Sequence, residues 1–336
     1  MDFSSLIDKD FRGVISVVQN GTVLCNRVSG FADLSNQIPN TLDTKFATAS
    51  AGKAFVAAAV LQLIDRGKLS FESRLGQLLD IDLHQIDPDV TVRQLLTHTS
   101  GIPDYFDESV MDDYEELWRD YPNYKIRRNS DLFPLFIEKP MAYPKGERFC
   151  YNNSGYVLLA AIIEKISGTA FDQYLKEQLF DPSGMSSTGY YELDRLPANT
   201  ANHYIYCEET GGFRTNIYSV DAKGTGAGGA FTTAADVVRF WERLIHCKFF
   251  SKELTAEMLR RQSGDGADPE EGYYGYGVWI IEDERQGSIP YFQGCDPGAS
   301  FLSEYNPNNH IISVLVSNYG DNVWQEMRKI RRELYR

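Results

Sequence analysis

Two β-branched runs open the chain, Val14 to Val18 and Thr22 to Val28, and Asn20-Gly21 between them is a strong tight-turn signal, so a hairpin is predicted here. From Ser50 to Arg66 the period changes. Phe55, Val56, Val60, Leu61, Leu63 and Ile64 on an alanine-rich background point nearly all round a helix, which predicts burial between layers, and Gly67 stops it. Residues 71 to about 215 read mostly as short helices and loops, with one clear helix from about Ser154 to Ile166 closed by Gly168. A glycine-rich stretch (Gly224, Gly226, Gly228, Gly229) precedes another helix from about Ala234 to Ile245. The end is strand-like at Tyr274 to Ile281, Ser300 to Tyr305 and Ile311 to Ser317, with a turn at Asn306 to Asn309 and a final helix from about Asn322. Strands at both ends and helices between them predict an α/β (α+β) sandwich: an antiparallel sheet drawn from both termini and flanked by helices, with a mainly helical subdomain inserted. The expected division is 1–70 and 216–336 for the sheet subdomain and 71–215 for the insert.

Composition narrows the function classes. The 336 residues are 43% hydrophobic and 24% charged, ordinary for a soluble globular protein. A net charge of −14 argues against nucleic-acid binding, which needs a basic stripe. The one basic cluster, Arg328 to Arg336, alternates with apolar residues and reads as the solvated face of a terminal helix, and the acidic run Asp265 to Glu271 reads as a solvated loop. No apolar run is long enough for a membrane span; Ala54 to Ile64 is too short. Met1 to Ser5 shows neither a basic nor an apolar leader region, so a cytoplasmic chain is expected if it starts at its natural beginning. Five irregularly spaced cysteines (25, 150, 207, 247, 295) suit reduced thiols better than a disulfide framework. Asp80-Ile81-Asp82 opens like a calcium loop but lacks the glycine at the sixth position and has Thr91 at the twelfth. The histidines form no metal-ligand pair, so no metal or other cofactor is expected.

Ser50-Ala51-Gly52-Lys53 is the only S-x-x-K in the chain. A serine hydroxyl is a poor nucleophile until a base takes its proton, and a lysine three residues on in a helix lies on the same face. Burial near the positive helix end disfavours the charged ammonium and makes the lysine a plausible base. The competing reading is a helix-capping serine beside a solvated lysine; a polar pair opening an otherwise buried helix favours chemistry. Tyr151-Asn152-Asn153 is the second candidate, with the Tyr151 phenolate stabilised by a nearby ammonium, and Asn153 bonding a substrate carbonyl while orienting the lysine. The same spacing recurs at Tyr121-Pro122-Asn123, but in a highly polar, loop-like stretch, whereas Tyr151 sits between a turn and a buried helix. A buried core tyrosine is the bland alternative at Tyr151.

Five collinear blocks carry a resemblance across nearly the whole chain. Ser50 to Lys53 with Leu69 to Leu79 resembles the S-x-x-K helix and following segment of class C β-lactamases. Thr91 to Ile102 is similar to the LLTHTSG signature of their superfamily, and Pro144 to Tyr156 to its PG-x-x-F-x-YSN-x-GY block. Asp181 to Met185 resembles PLGM, and Gly228 to Thr233 resembles GG-x-x-ST. The chain is thereby identified as a member of the serine β-lactamase-like superfamily, which includes penicillin-binding proteins and family VIII-type carboxylesterases. The resemblance implies Ser50 as nucleophile, Lys53 as its partner, Tyr151 as general acid or base, Asn153 as a substrate-orienting amide and a structural His98.

The resemblance departs at one motif. Aligned on Pro297-Gly298, Phe292-Gln293-Gly294 stands where the superfamily has K-T-G or H-x-G. Gly294 keeps the close approach, and the Cys295 N–H is expected to pair with that of Ser50 as an oxyanion hole. Phe292 is expected in the substrate site, replacing a carboxylate-binding side chain and favouring neutral esters. The expected activity is therefore a carboxylesterase-like serine hydrolase acting through an acyl-enzyme on a small ester, amide or β-lactam. The alternatives are a β-lactamase or D-Ala-D-Ala carboxypeptidase, and a non-catalytic scaffold.

Overall fold

The computed structural model describes residues 7–108, 110–111, 113–264 and 272–334. The Met1 to Ser5 segment, the acidic run 265–271 and the last two residues of the basic cluster lie outside them. Strand β1 (Gly13–Gln19) turns into β2 (Thr22–Ser29) through Asn20 and Gly21, both at positive φ (47° and 76°), the backbone that a two-residue hairpin requires. Strands β3 (Tyr273–Tyr274), β4 (Trp279–Asp283), β5 (Gly287–Asp296), β6 (Ala299–Asn306) and β7 (Ile311–Ser317) come from the other end of the chain. Together they form a seven-stranded antiparallel sheet in the order β2-β1-β7-β6-β5-β4-β3.

Alternation along the strands feeds two apolar layers. Val14, Phe292, Phe301, Val314 and Val316 pack with helices α1 (Lys53–Asp65), α2 (Asn153–Ser167) and α3 (Ala234–Ile245). Ile15, Val17, Tyr291, Leu302 and Leu315 pack with Val323, Met327 and Ile330 of α4 (Val323–Leu334). Helix α1 is buried without a break from Lys53 to Leu63, as its apolar circumference predicts. Among the described residues no single helix is long and apolar enough to cross a membrane.

Three elements differ from the sequence reading. The segment 274–281 is two strands rather than one, because α1 crosses it: a Cβ on Gly277 (φ 72°) would lie 2.5 Å from the Ala57 Cβ and 2.8 Å from the Lys53 carbonyl oxygen. Strand β5, at ten residues the longest of the sheet, has no period-two signature, since Pro290 and Gly294 interrupt it. In the stretch read as helices and loops, Tyr204–Cys207 and Gly212–Thr215 form a separate hairpin.

Candidate active site

The first turn of α1 is set by its approach. Ala49, a non-glycine residue at φ 47°, leads into a 3₁₀ turn over Ala49–Gly52 that runs directly into the helix, and Lys53 lies one turn beyond Ser50. Lys53 is 1% exposed. Its Nζ donates to Ser50 Oγ at 3.0 Å, to Asn153 Oδ1 at 2.8 Å and to the Ala227 carbonyl oxygen. Three acceptors thus meet three ammonium hydrogens. Burial lowers the lysine pKa from 10.5 to about 8, against the opposing pull of Glu108, Asp104 and Asp296. When neutral, the amine keeps its bonds to Asn153 and Ala227 and turns a lone pair towards Ser50 Oγ.

Tyr151 and Asn153 arrive from the entrance to α2. Asn152 caps that helix by accepting from the Gly155 N–H at 2.7 Å, and it donates to the Ile102 carbonyl at 2.9 Å. Asp104 takes the remaining donors of the first turn, the N–H groups of Asn153 (2.7 Å) and Ser154 (3.0 Å) and the Ser154 hydroxyl (3.0 Å). The Tyr151 hydroxyl hydrogen-bonds with Ser50, while its ring stacks on Trp279 at 5.8 Å and lies 4.4 Å from the His98 ring. His98, kept neutral by burial, accepts from the Asn152 N–H at 3.0 Å and so fixes this segment.

Two expectations about these side chains need correction. Lys53 Nζ sits 4.9 Å from the centre of the Tyr151 ring. The enclosed position and the Glu108 charge push the phenol pKa well above 10, so the resting residue is a neutral hydroxyl and not a stabilised phenolate. Asn153 orients the lysine, but its amide nitrogen already donates to Asp104 (3.4 Å) and to the Phe106 carbonyl (3.2 Å), which leaves no hydrogen for a substrate carbonyl.

Ser50, Tyr151 and Asn153 open onto a cavity of about 590 Å³, within the range of small-molecule sites. Gly294 forms part of its wall at closest approach to Ser50: a Cβ there would lie 2.5 Å from the Ser50 nitrogen and 2.3 Å from the Thr48 carbonyl oxygen, so only glycine fits. Cys295 also lines the cavity. Phe292 does not. Its ring is 1% exposed and packs against Trp241 (5.1 Å), Phe301 (5.9 Å), Phe240 (5.8 Å) and Phe55 (6.3 Å). It shares a strand face with Gly294, but two residues earlier that face is covered by α1 and α3. Tyr121, the alternative tyrosine, donates to the Asp131 carbonyl at 2.9 Å and does not line the cavity.

The Beta-lactamase family profile matches residues 4–335. The chain belongs to the Beta-lactamase family. It is 37% identical to a penicillin binding protein from Bacillus halodurans of known crystal structure, covering 98% of this chain and 99% of that one with a TM-score of 0.92. Penicillin-binding protein 4* of Bacillus subtilis is 29% identical over 323 residues, a match that spans 89% of this chain but 66% of that protein. EstCE1, described as a hydrolase with promiscuous acyltransferase activity, shares the fold at 21% identity and a TM-score of 0.78, with 96% and 93% of the two chains covered. This Beta-lactamase-family chain is a serine hydrolase of the β-lactamase and penicillin-binding protein superfamily.

The cavity of this family member also holds residues that sequence reasoning did not single out. Glu108, Asp113, Asp221 and Asp296 line it, as do Trp279 and Trp324, the latter donating to Gln293 Oε1 at 2.5 Å. No spacing joins Glu108, Asp221 and Asp296, which come from three separate parts of the chain. Only Asp296 carried a signal, as a near neighbour of Gly294. Among the described residues no group of three His, Cys, Asp or Glu side chains is arranged to hold a metal.

Proposed function

We propose that the protein is a carboxylesterase-like acyl hydrolase with Ser50 as nucleophile, Lys53 as base and Tyr151 as proton relay. The carrying observation is the Lys53 Nζ to Ser50 Oγ contact of 3.0 Å at a lysine whose pKa burial brings to about 8. Ser50 Oγ adds to the ester carbonyl as its proton passes to the neutral amine of Lys53. The developing oxyanion is held by the N–H groups of Ser50 and Cys295. Collapse breaks the bond to the leaving oxygen, which takes the proton from Lys53 through the Tyr151 hydroxyl. Water then attacks the acyl-Ser50 ester with the same groups in reverse, releasing the acid and restoring the serine.

Esters are favoured over anionic β-lactams by the cavity lining, not by Phe292. Among the described residues the lining includes four acidic side chains and neither lysine nor arginine, so a substrate carboxylate finds no cationic partner there. A second reading, penicillin binding, is favoured by the names of the relatives, and the same experiment weighs it. Purified protein is offered p-nitrophenyl butyrate, nitrocefin and benzylpenicillin. Hydrolysis of the ester with a kcat/KM at least tenfold above that for either β-lactam supports the esterase reading; faster β-lactam turnover or stable penicilloylation overturns it.

A further inference from the structure

The second face of β5, opposite to that of Phe292 and Gly294, also reaches the cavity. Tyr291 pairs across the strands with Trp279 of β4, so Gln293, two residues on, is the diagonal neighbour of Trp279 on that face. Trp279, Gln293 and Trp324, the last at the start of α4, all line the cavity. The Trp324 indole N–H donates to Gln293 Oε1 at 2.5 Å. An indole nitrogen can only donate, so this bond fixes which way round the carboxamide lies: its oxygen faces Trp324 and Nε2 is the free end. Nε2 has no acceptor among the described residues. It is not sealed in the core like the unpartnered His98 Nε2, but open to the cavity that Gln293 lines. The other carboxamides of the lining are committed: Asn153 donates to Asp104 and the Phe106 carbonyl, and Asn216 to the Pro297 carbonyl at 2.9 Å. This wall adjoins Tyr151, whose ring stacks on Trp279 with 15° between the planes, and Tyr151 is the group that hands a proton to the leaving oxygen in the acyl-hydrolase reading.

We propose that Gln293 is a specificity-determining residue whose Nε2, held in place through Trp324, donates to a neutral oxygen acceptor on the leaving group, so that the preferred substrates are esters of apolar alcohols or phenols that carry a carbonyl. The inference deepens the acyl-hydrolase reading and rests on it. A leaving group without an acceptor displaces water from Nε2 and leaves its hydrogens unpaired, whereas a carbonyl replaces the lost bond. The indoles of Trp279 and Trp324 add apolar contact with the body of the same group. Because the carboxamide is already oriented, the bond forms without the cost of ordering a free side chain.

The test uses the full chain and butyrate esters of meta- and para-acetylphenol, each paired with the corresponding isopropenylphenol ester, in which a methylene replaces the carbonyl oxygen in the same shape. Each kcat/KM is divided by the ester's hydroxide-catalysed rate, which removes the difference in leaving-group activation. The expected result is a normalised preference for the acetyl member of at least one pair of about fivefold, equivalent to about 1 kcal/mol. Gln293→Met removes the donor and should bring that ratio to about one. Gln293→Glu keeps an oxygen for the Trp324 N–H but puts a carboxylate oxygen where the donor was, and should bring the ratio below one. Trp324→Phe frees the amide to turn and should lower the ratio as well. A defect in folding or in the oxyanion hole slows both members of a pair alike, so the ratio reads the contact itself, and the variants are measured separately so that one that does not fold does not decide the matter. A wild-type ratio near one in both pairs, or a ratio that the Gln293 variants leave unmoved, overturns the proposal. So does a Gln293-dependent preference for methyl levulinate over its methylene isostere, since that acceptor lies on the acyl part. Turnover of the phenyl esters with no acetyl preference sinks this inference alone, whereas no turnover of any ester removes the hydrolase reading beneath it.

Discussion

Gly294 divides one face of β5 into two environments. Two residues before it, Phe292 lies in an aromatic core made by Phe55, Phe240, Trp241 and Phe301. Two residues after it, Asp296 faces a cavity beside other carboxylates. The face, the period and the strand are the same; what differs is whether α1 lies overhead. Alignment to a motif therefore gives a residue's position on a strand but not its surroundings, and those surroundings decide whether a substitution alters stability or substrate choice.

The two ends of this face should respond differently to substitution. The largest effect belongs to the junction between them: Lys53→Met should lower kcat/KM for a neutral ester by about 10³-fold, and Tyr151→Phe by about 10²-fold or more, with the double mutant well short of additive. Stopped-flow or steady-state kinetics on folded variants checks this. Next comes the core end. Phe292→Ala should destabilise by about 3–5 kcal/mol in urea unfolding, and Phe292→Lys by more because its ammonium is buried unpaired. Neither should create a preference for β-lactams.

The cavity end of the face should also respond to pH. Burial raises the pKa values of Asp221 and Asp296 to about 7 in the fold, well above the ordinary carboxylate value. The folded state therefore holds these protons more tightly than the unfolded chain, so their stabilising contribution is full below about pH 4 and is lost as pH rises through about 7. The urea midpoint of wild type should fall between pH 5 and 8, and Asp296→Asn should flatten that fall. The activity profile provides a smaller test: neutral-ester kcat/KM should rise through about pH 8 as Lys53 loses its proton, and Asp296→Asn should move that inflection lower because a negative charge near the ammonium is removed. Tyr121→Phe should be the mildest change, costing about 1 kcal/mol for one hydrogen bond and leaving the rate untouched.

Most of the scaffold was legible because local pattern and tertiary demand agree. The all-round apolar helix from Ser50, the Asn20-Gly21 hairpin and the helix ending at Gly168 each carry their own start or stop signal. Strand β5 was not legible by period, since Pro290 and Gly294 interrupt an otherwise buried run. The break at Gly277 depends on a helix more than 200 residues earlier in the chain, which no window of sequence contains. In the site, Ser50, Lys53 and Tyr151 were readable as spaced motifs. The carboxylates Glu108, Asp221 and Asp296 were not, because their proximity exists only after the sheet from the C-terminal strands closes against the preceding loops.

Ser50, activated by Lys53, is proposed to form the acyl-enzyme. The most direct measurement is intact-protein and peptide mass spectrometry after rapid acid quench of a p-nitrophenyl ester reaction, or after treatment with a fluorophosphonate. One covalent adduct per chain is expected, located on the peptide containing Ser50 and absent from Ser50→Ala protein with an unchanged circular dichroism spectrum. An adduct mapping to another residue, or full ester turnover by Ser50→Ala, would contradict it.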